Sequence, residues 1–134
     1  MAENENYVKF AETVSNVCTK HEVDLDSLDR TKQRMILEEA FRHFLLHCYA
    51  QQARQQLSPI YERSTDIELL RLMAVNKHHW LYSDISKMKH NGLLTALADE
   101  ISDIKLPQRT MDEVLMHKYG QLIPDKWIRH HTSG

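Results

Sequence analysis

The sequence predicts an all-α protein, a compact bundle of about five helices around a long central helix at about 30–57. Three observations carry this expectation. Apolar residues recur at spacings of three and four through most of the 134 residues, the signature of helices with one buried face. Only three glycines and three prolines interrupt the chain, so long elements are expected. No run alternates with the period of two that marks a half-buried strand, and no internal repeat is visible.

The length suits one core that needs no disulfide or metal staple. The organisation read from it is a single helical domain, 1–134, with a loosely ordered N-terminus (1–4) and C-terminal tail (129–134). A composition of 42% hydrophobic and 27% charged residues is that of a globular chain. No apolar run approaches the roughly 18 residues that cross a bilayer. The opening MAENENYVKF is acidic and has no apolar signal core, so a cytoplasmic location and no membrane partner are expected. Cys18 and Cys48 lack CxxC spacing and read as reduced, partly buried thiols. A net charge of −2 disfavours a generic nucleic-acid coat, which would be strongly basic. Nine histidines make the charge sensitive to pH between about 5 and 7.

Taken in order, the first helix is expected over Asn4 to Lys20, with Tyr7, Phe10, Ala11, Val14, Val17 and Cys18 on one face. The acidic connector His21 to Asp29 follows, rich in residues that suit caps and turns. Asp26 or Asp29 is the expected N-cap of the central helix, where a carboxylate also complements the dipole. The central helix runs over Thr31 to Leu57, and Pro59 after Ser58 ends it. Leu37, Phe41, Phe44 and Cys48 form the centre of its core stripe, flanked by Ala40 and Leu45. Leu46 lies almost opposite and Tyr49 well off the stripe, so the helix is apolar nearly all round and should be enclosed on several sides.

Thr65-Asp66-Ile67-Glu68 is a capping box that should open a third helix. A short helix within Tyr82 to Lys89, begun at Ser83 or Asp84, should stop at His90-Asn91-Gly92. Leu93 to Leu106 reads as one amphipathic helix closed by Pro107. Thr110-Met111-Asp112-Glu113 reads as a second capping box and Gly120 as the following stop. The tail adds about one helical turn, anchored by Trp127 and Ile128.

Arg42-His43-Phe44-Leu45-Leu46-His47-Cys48-Tyr49 fits the order Arg, four residues, His, one residue, Tyr. It resembles the motif of HEPN ribonucleases, all-α proteins that cut RNA without metal at a site formed by two facing copies. The resemblance covers these eight residues. It implies that Arg42 and His47 act on the scissile phosphate and the attacking 2′-hydroxyl, with His43 and Tyr49 at the family's remaining places. Arginine offers a fork of donors to a phosphate, and histidine moves protons near neutral pH. On a continuous helix, however, residues five apart point about 140° away from each other.

His43 and His47, four apart, have the spacing of a two-imidazole metal grip. No HExxH glutamate lies between them, and a third ligand would have to come from Cys18, His21, His78 or His79. Neither a metal nor another cofactor is expected. Lys126, Arg129 and His130 are the candidate nucleic-acid contacts, if Thr110 to His131 forms a helix-turn-helix. A solvated basic face is the plainer explanation.

The leading reading is a small non-enzymatic helical protein that regulates another macromolecule by binding it. A homodimer is expected, through Phe41, Leu45, Leu46 and Tyr49, with an unidentified protein as the further partner. The alternatives are a metal-independent, toxin-type ribonuclease using Arg42 and His47, and a DNA-binding transcriptional regulator. A chain this short and histidine-rich suits a phage or plasmid accessory product.

Overall fold

The computed structural model describes residues 5–57 and 59–133. The expected loose start at 1–4, including Asn4 as first helical residue, and Ser58 before Pro59 lie outside them. The described residues form eight α-helices: α1 (Glu5–His21), α2 (Arg30–Gln56), α3 (Asp66–His78), α4 (Tyr82–Ile85), α5 (His90–Ala96), α6 (Ala98–Asp103), α7 (Gln108–Leu115) and α8 (Asp125–His131). Single 3-10 turns occur at Leu25–Ser27, Pro59–Tyr61 and Gly120–Leu122. The only β feature among the described residues is an isolated bridge between Leu106 and Thr132. No helix among them is long and apolar enough to cross a membrane. The all-α expectation and the long helix are therefore both met. The chain divides into two compact units, Met1–Phe44 with Lys105–Gly134, and Leu45–Ile104.

In the first unit α1 buries Phe10, Val14 and Val17 of its predicted stripe. Thr13 joins them because its hydroxyl donates to the Lys9 carbonyl at 2.8 Å, which satisfies it inside the helix. The helix ends in a Schellman-type turn: Val23 N–H reaches the Cys18 carbonyl and Glu22 N–H that of Thr19. Glu22 takes the left-handed conformation, φ 55°, that glycine usually fills there. Of the two predicted caps, Asp29 takes the role, accepting from Lys32 N–H at 2.8 Å. Asp26 instead meets the Tyr119 hydroxyl and Lys118 Nζ.

Helix α7 packs on α1, and Asn6 Nδ2 donates to Thr110 Oγ1 at 3.4 Å. The predicted capping box at Thr110 is not formed. Pro107 occupies the N-cap place at φ −58°, ψ 150°, so the helix starts earlier and Thr110 lies within it, buried. Gly120 does not end α7, which stops at Leu115. It opens the next 3-10 turn, where a Cβ would lie 2.8 Å from the Val114 carbonyl oxygen. Close backbone approach is what the position needs. The tail's anchoring residues behave as expected: Ile128 is buried and Trp127 stacks on Phe41 with ring centroids 6.3 Å apart. Leu106 N–H donates to the His131 carbonyl, and Ser133 N–H to that of Leu106.

The second unit holds the later part of α2 and α3 to α6. The Thr65–Glu68 capping box forms as predicted, each residue satisfying the other's free backbone donor. Helix α3 buries Leu69, Leu70 and Ala74, packs on α4 and α5, and ends at a left-handed His79, φ 57°. Two expectations fail here. His90-Asn91-Gly92 is the first turn of α5 and not a stop: Lys89 is its N-cap, and the Lys89 carbonyl accepts from Leu93 N–H at 3.0 Å. Gly92 serves for space, since a Cβ would come within 2.5 Å of Met88 Cγ. Leu93 to Leu106 is not one helix either. Leu97, at φ −110° and ψ 24°, separates α5 from α6 with its side chain fully buried. No glycine or proline marks that break, which adds one helix to the number expected; the short α4 and α8 account for the rest of the eight.

Helix α2 itself is enclosed as its apolar girth predicts. Leu37, Ala40, Phe41, Phe44, Leu45, Leu46, Cys48, Ala50 and Ala53 are all buried.

Candidate functional site

The opening turns of α2 carry a second stripe, distinct from the core one: Lys32, Met35, Ile36, Glu39 and Arg42 recur at helical spacing. Facing it are His21 at the end of α1 and Val23 and Leu28 of the connector. The left-handed turn at Glu22 directs the chain from α1 into this wall. Together with Glu38, these side chains line an open cleft of about 290 Å³ within the first unit. Its floor is apolar. Ile36 is buried, Val23 and Leu28 are half-buried, and Met35 is 63% exposed, a large apolar side chain held at the surface.

The charges around the cleft are unevenly answered. Glu39 lies 2.9 Å from Lys20 Nζ, 3.0 Å from His21 Nε2 and 3.8 Å from His43 Nε2. Burial pushes its carboxyl upward, but the hydrogen bonds from His21 and Lys20 outweigh that and hold it below the usual range. It is an anion with its partners already in place. Lys32, Arg42 and Glu38 have no oppositely charged side chain within ion-pair distance among the described residues. The Arg42 guanidinium lies 6.0 Å from the centroid of the Trp127 ring, a cation–π contact at the long end of the range that does not use its hydrogen-bond donors.

The polar residues of the Arg42–Tyr49 motif do not converge. They lie on one uninterrupted helix, and Arg42 and His47, five apart, diverge by about 140°. Arg42 goes to Trp127, whereas His47 Nδ1 meets Asp66 Oδ2 at 2.7 Å. Asp66 also accepts from Gln51 Nε2 at 3.0 Å and from Arg54 at 2.8 Å. Arg54 in turn reaches the Ser64 carbonyl and Gln51 Oε1. The His47 hydrogen bond, with Arg54 and against the effect of burial, lowers the Asp66 carboxyl to about 2. Tyr49 is half-buried, and burial together with Glu100 raises its hydroxyl despite Lys77.

Of the four residues expected at a homodimer seam, Tyr49 is half-buried and the other three are covered. Phe41, Leu45 and Leu46 are at most 3% exposed within the single chain, so the apolar girth that suggested a second copy is already covered. His43 and His47 are drawn to different carboxylates, Glu39 and Asp66. Among the described residues no group of three or more His, Cys, Asp or Glu side chains is arranged to hold a metal ion. Lys126, Arg129 and His130 lie exposed on α8, with Arg129 Nε 2.9 Å from Asp125 Oδ2. Helices α7 and α8 are separated by residues 116–124, and α8 has only seven residues, short for a recognition helix.

The cleft is the feature that sequence reading missed. Its signal was present in the 32-35-36-39-42 spacing, but the stronger core stripe on the same helix masked it. Comparison with protein-family models, curated proteins and solved structures returns no match for this chain.

Proposed function

We propose that this protein is a small helical interaction module that acts by binding another protein, and that the cleft between the end of α1, the connector and α2 is its contact surface. One observation carries the reading: a concave, apolar-floored cleft displays Met35 at 63% exposure with charged side chains around its edge. An apolar centre inside a polar rim is the usual anatomy of a protein-binding patch, and flexible methionine adapts to varied partners. The covered state of Phe41, Leu45 and Leu46 favours a different protein over a second copy as partner. Regulation of that partner by occupancy is the role such a module serves.

The test is site-specific photo-crosslinking in the cells that make the protein. With p-benzoylphenylalanine in place of Met35, a discrete adduct with one protein is expected. The same group in place of Asn16, exposed on α1 and outside the cleft lining, should not give it. Identical adduct patterns from the two positions would overturn the reading.

A further inference from the structure

The lining of the cleft also bears on the chemistry of its occupant, given the binding-module reading on which this step rests. We infer that its occupant is an acidic, apolar peptide segment of a protein partner: apolar side chains on Val23, Leu28, Met35 and Ile36, and carboxylates reaching Lys32 and Arg42.

Charge complementarity selects this occupant. Lys32 and Arg42 lie at opposite ends of the cleft-lining stretch of α2, ten residues or roughly 15 Å apart along the helix axis. Neither has a carboxylate within ion-pair distance among the described residues. Glu39 is already answered by Lys20 and His21. The Arg42 guanidinium lies 6.0 Å from the Trp127 ring centroid, a contact that does not use its hydrogen-bond donors. The two cations therefore await anions set apart by a distance that about four or five residues of extended chain span. Between them Glu38 lines the same wall, an anion with no oppositely charged side chain within ion-pair distance among the described residues, and its charge would repel a continuous polyanion such as a nucleic-acid backbone. Spaced carboxylates with apolar side chains between them satisfy both features. A volume of about 290 Å³ is at the small end for ligand pockets and suits the anchor side chains of a peptide.

The experiment is a titration of the ¹⁵N-labelled full chain, followed by amide chemical shifts, with N-acetyl-Glu-Ala-Leu-Ala-Glu-amide, whose Leu shares a face with both Glu in extended chain, and with the same peptide carrying Lys for Glu. The acidic peptide should move the amides of Val23, Leu28, Met35 and Ile36 and bind about tenfold or more tightly than the basic one. Lys32→Glu with Arg42→Glu should reverse that order, and Lys32→Gln with Arg42→Gln should abolish the difference. Far-ultraviolet circular dichroism checks that the variants keep their helices. Equal binding of both peptides at the cleft overturns the charge inference and leaves the binding module standing. No cleft response to either peptide, or a response to decanoate but not to the peptides, overturns the inference and counts against the module reading as well. Cleft shifts that depend on protein concentration without peptide would assign the surface to a second copy, and would also overturn it.

Discussion

Asp66 offers the sharpest quantitative test of the structure. Its carboxylate collects His47, Gln51 and Arg54 at the start of α3, and His47 first, then Arg54, lower it against burial from 3.8 to about 2. A shift of that size corresponds to roughly 2.5 kcal/mol at full effect. The side chain is 29% exposed, so solvent screening reduces the expectation to about 1–2 kcal/mol. The sign follows from the direction. A carboxyl more acidic in the folded chain than in the unfolded one stabilises fully above about pH 4. That stabilisation is lost as pH falls from there through the folded value near 2. Asp66→Asn lacks the titrating group and should be about 1–2 kcal/mol less stable at pH 7, with the gap closing at pH 2. Urea unfolding at pH 7, 4 and 2.5 measures the difference between the two proteins, so that Glu39, Glu68 and other lowered carboxyls cancel. Amide exchange in α3 assigns the effect to its unit. Parallel pH profiles for the native and Asn proteins would refute the network as an energetic feature.

Three further outcomes are expected. Glu22→Gly should raise stability by about 0.5–1 kcal/mol, because glycine accepts the left-handed φ of 55° without strain; a lower melting temperature would contradict that. Gly120→Ala should cost about 1–3 kcal/mol, since its Cβ meets the Val114 carbonyl and the Leu115 backbone. Gly92→Ala meets only the flexible Met88 side chain and gains helix propensity, so it should stay within about 1 kcal/mol of the native protein. Thermal melts of the two alanine variants read the contrast directly. Cys48, pushed up to about 12 by burial and then by Asp66, should resist a thiol reagent at pH 8 in the native protein and react on unfolding. Cys18, less buried and raised by burial and Asp24, should react first.

The helical class, the extent of α2, the core face of α1 and the capping box before α3 were all legible in the order of residues. These are local matters: apolar periodicity selects a helix, and Thr65 and Glu68 satisfy each other's backbone donors without help from afar. Packing between distant segments settled the rest. The α5–α6 break falls at Leu97, a residue with no conformational signature of its own, and Gly92 and Gly120 serve close packing in place of the helix ends their identity suggested. The Arg42–Tyr49 motif met the same limit. Helical spacing already sets Arg42 and His47 about 140° apart, but that Arg42 goes to Trp127 and His47 to Asp66 was decided by packing. The cleft needed the fold outright. Val23 and Leu28 sit in an acidic connector whose burial no periodicity announces, and only the turn at Glu22 brings them against the Lys32–Arg42 face of α2.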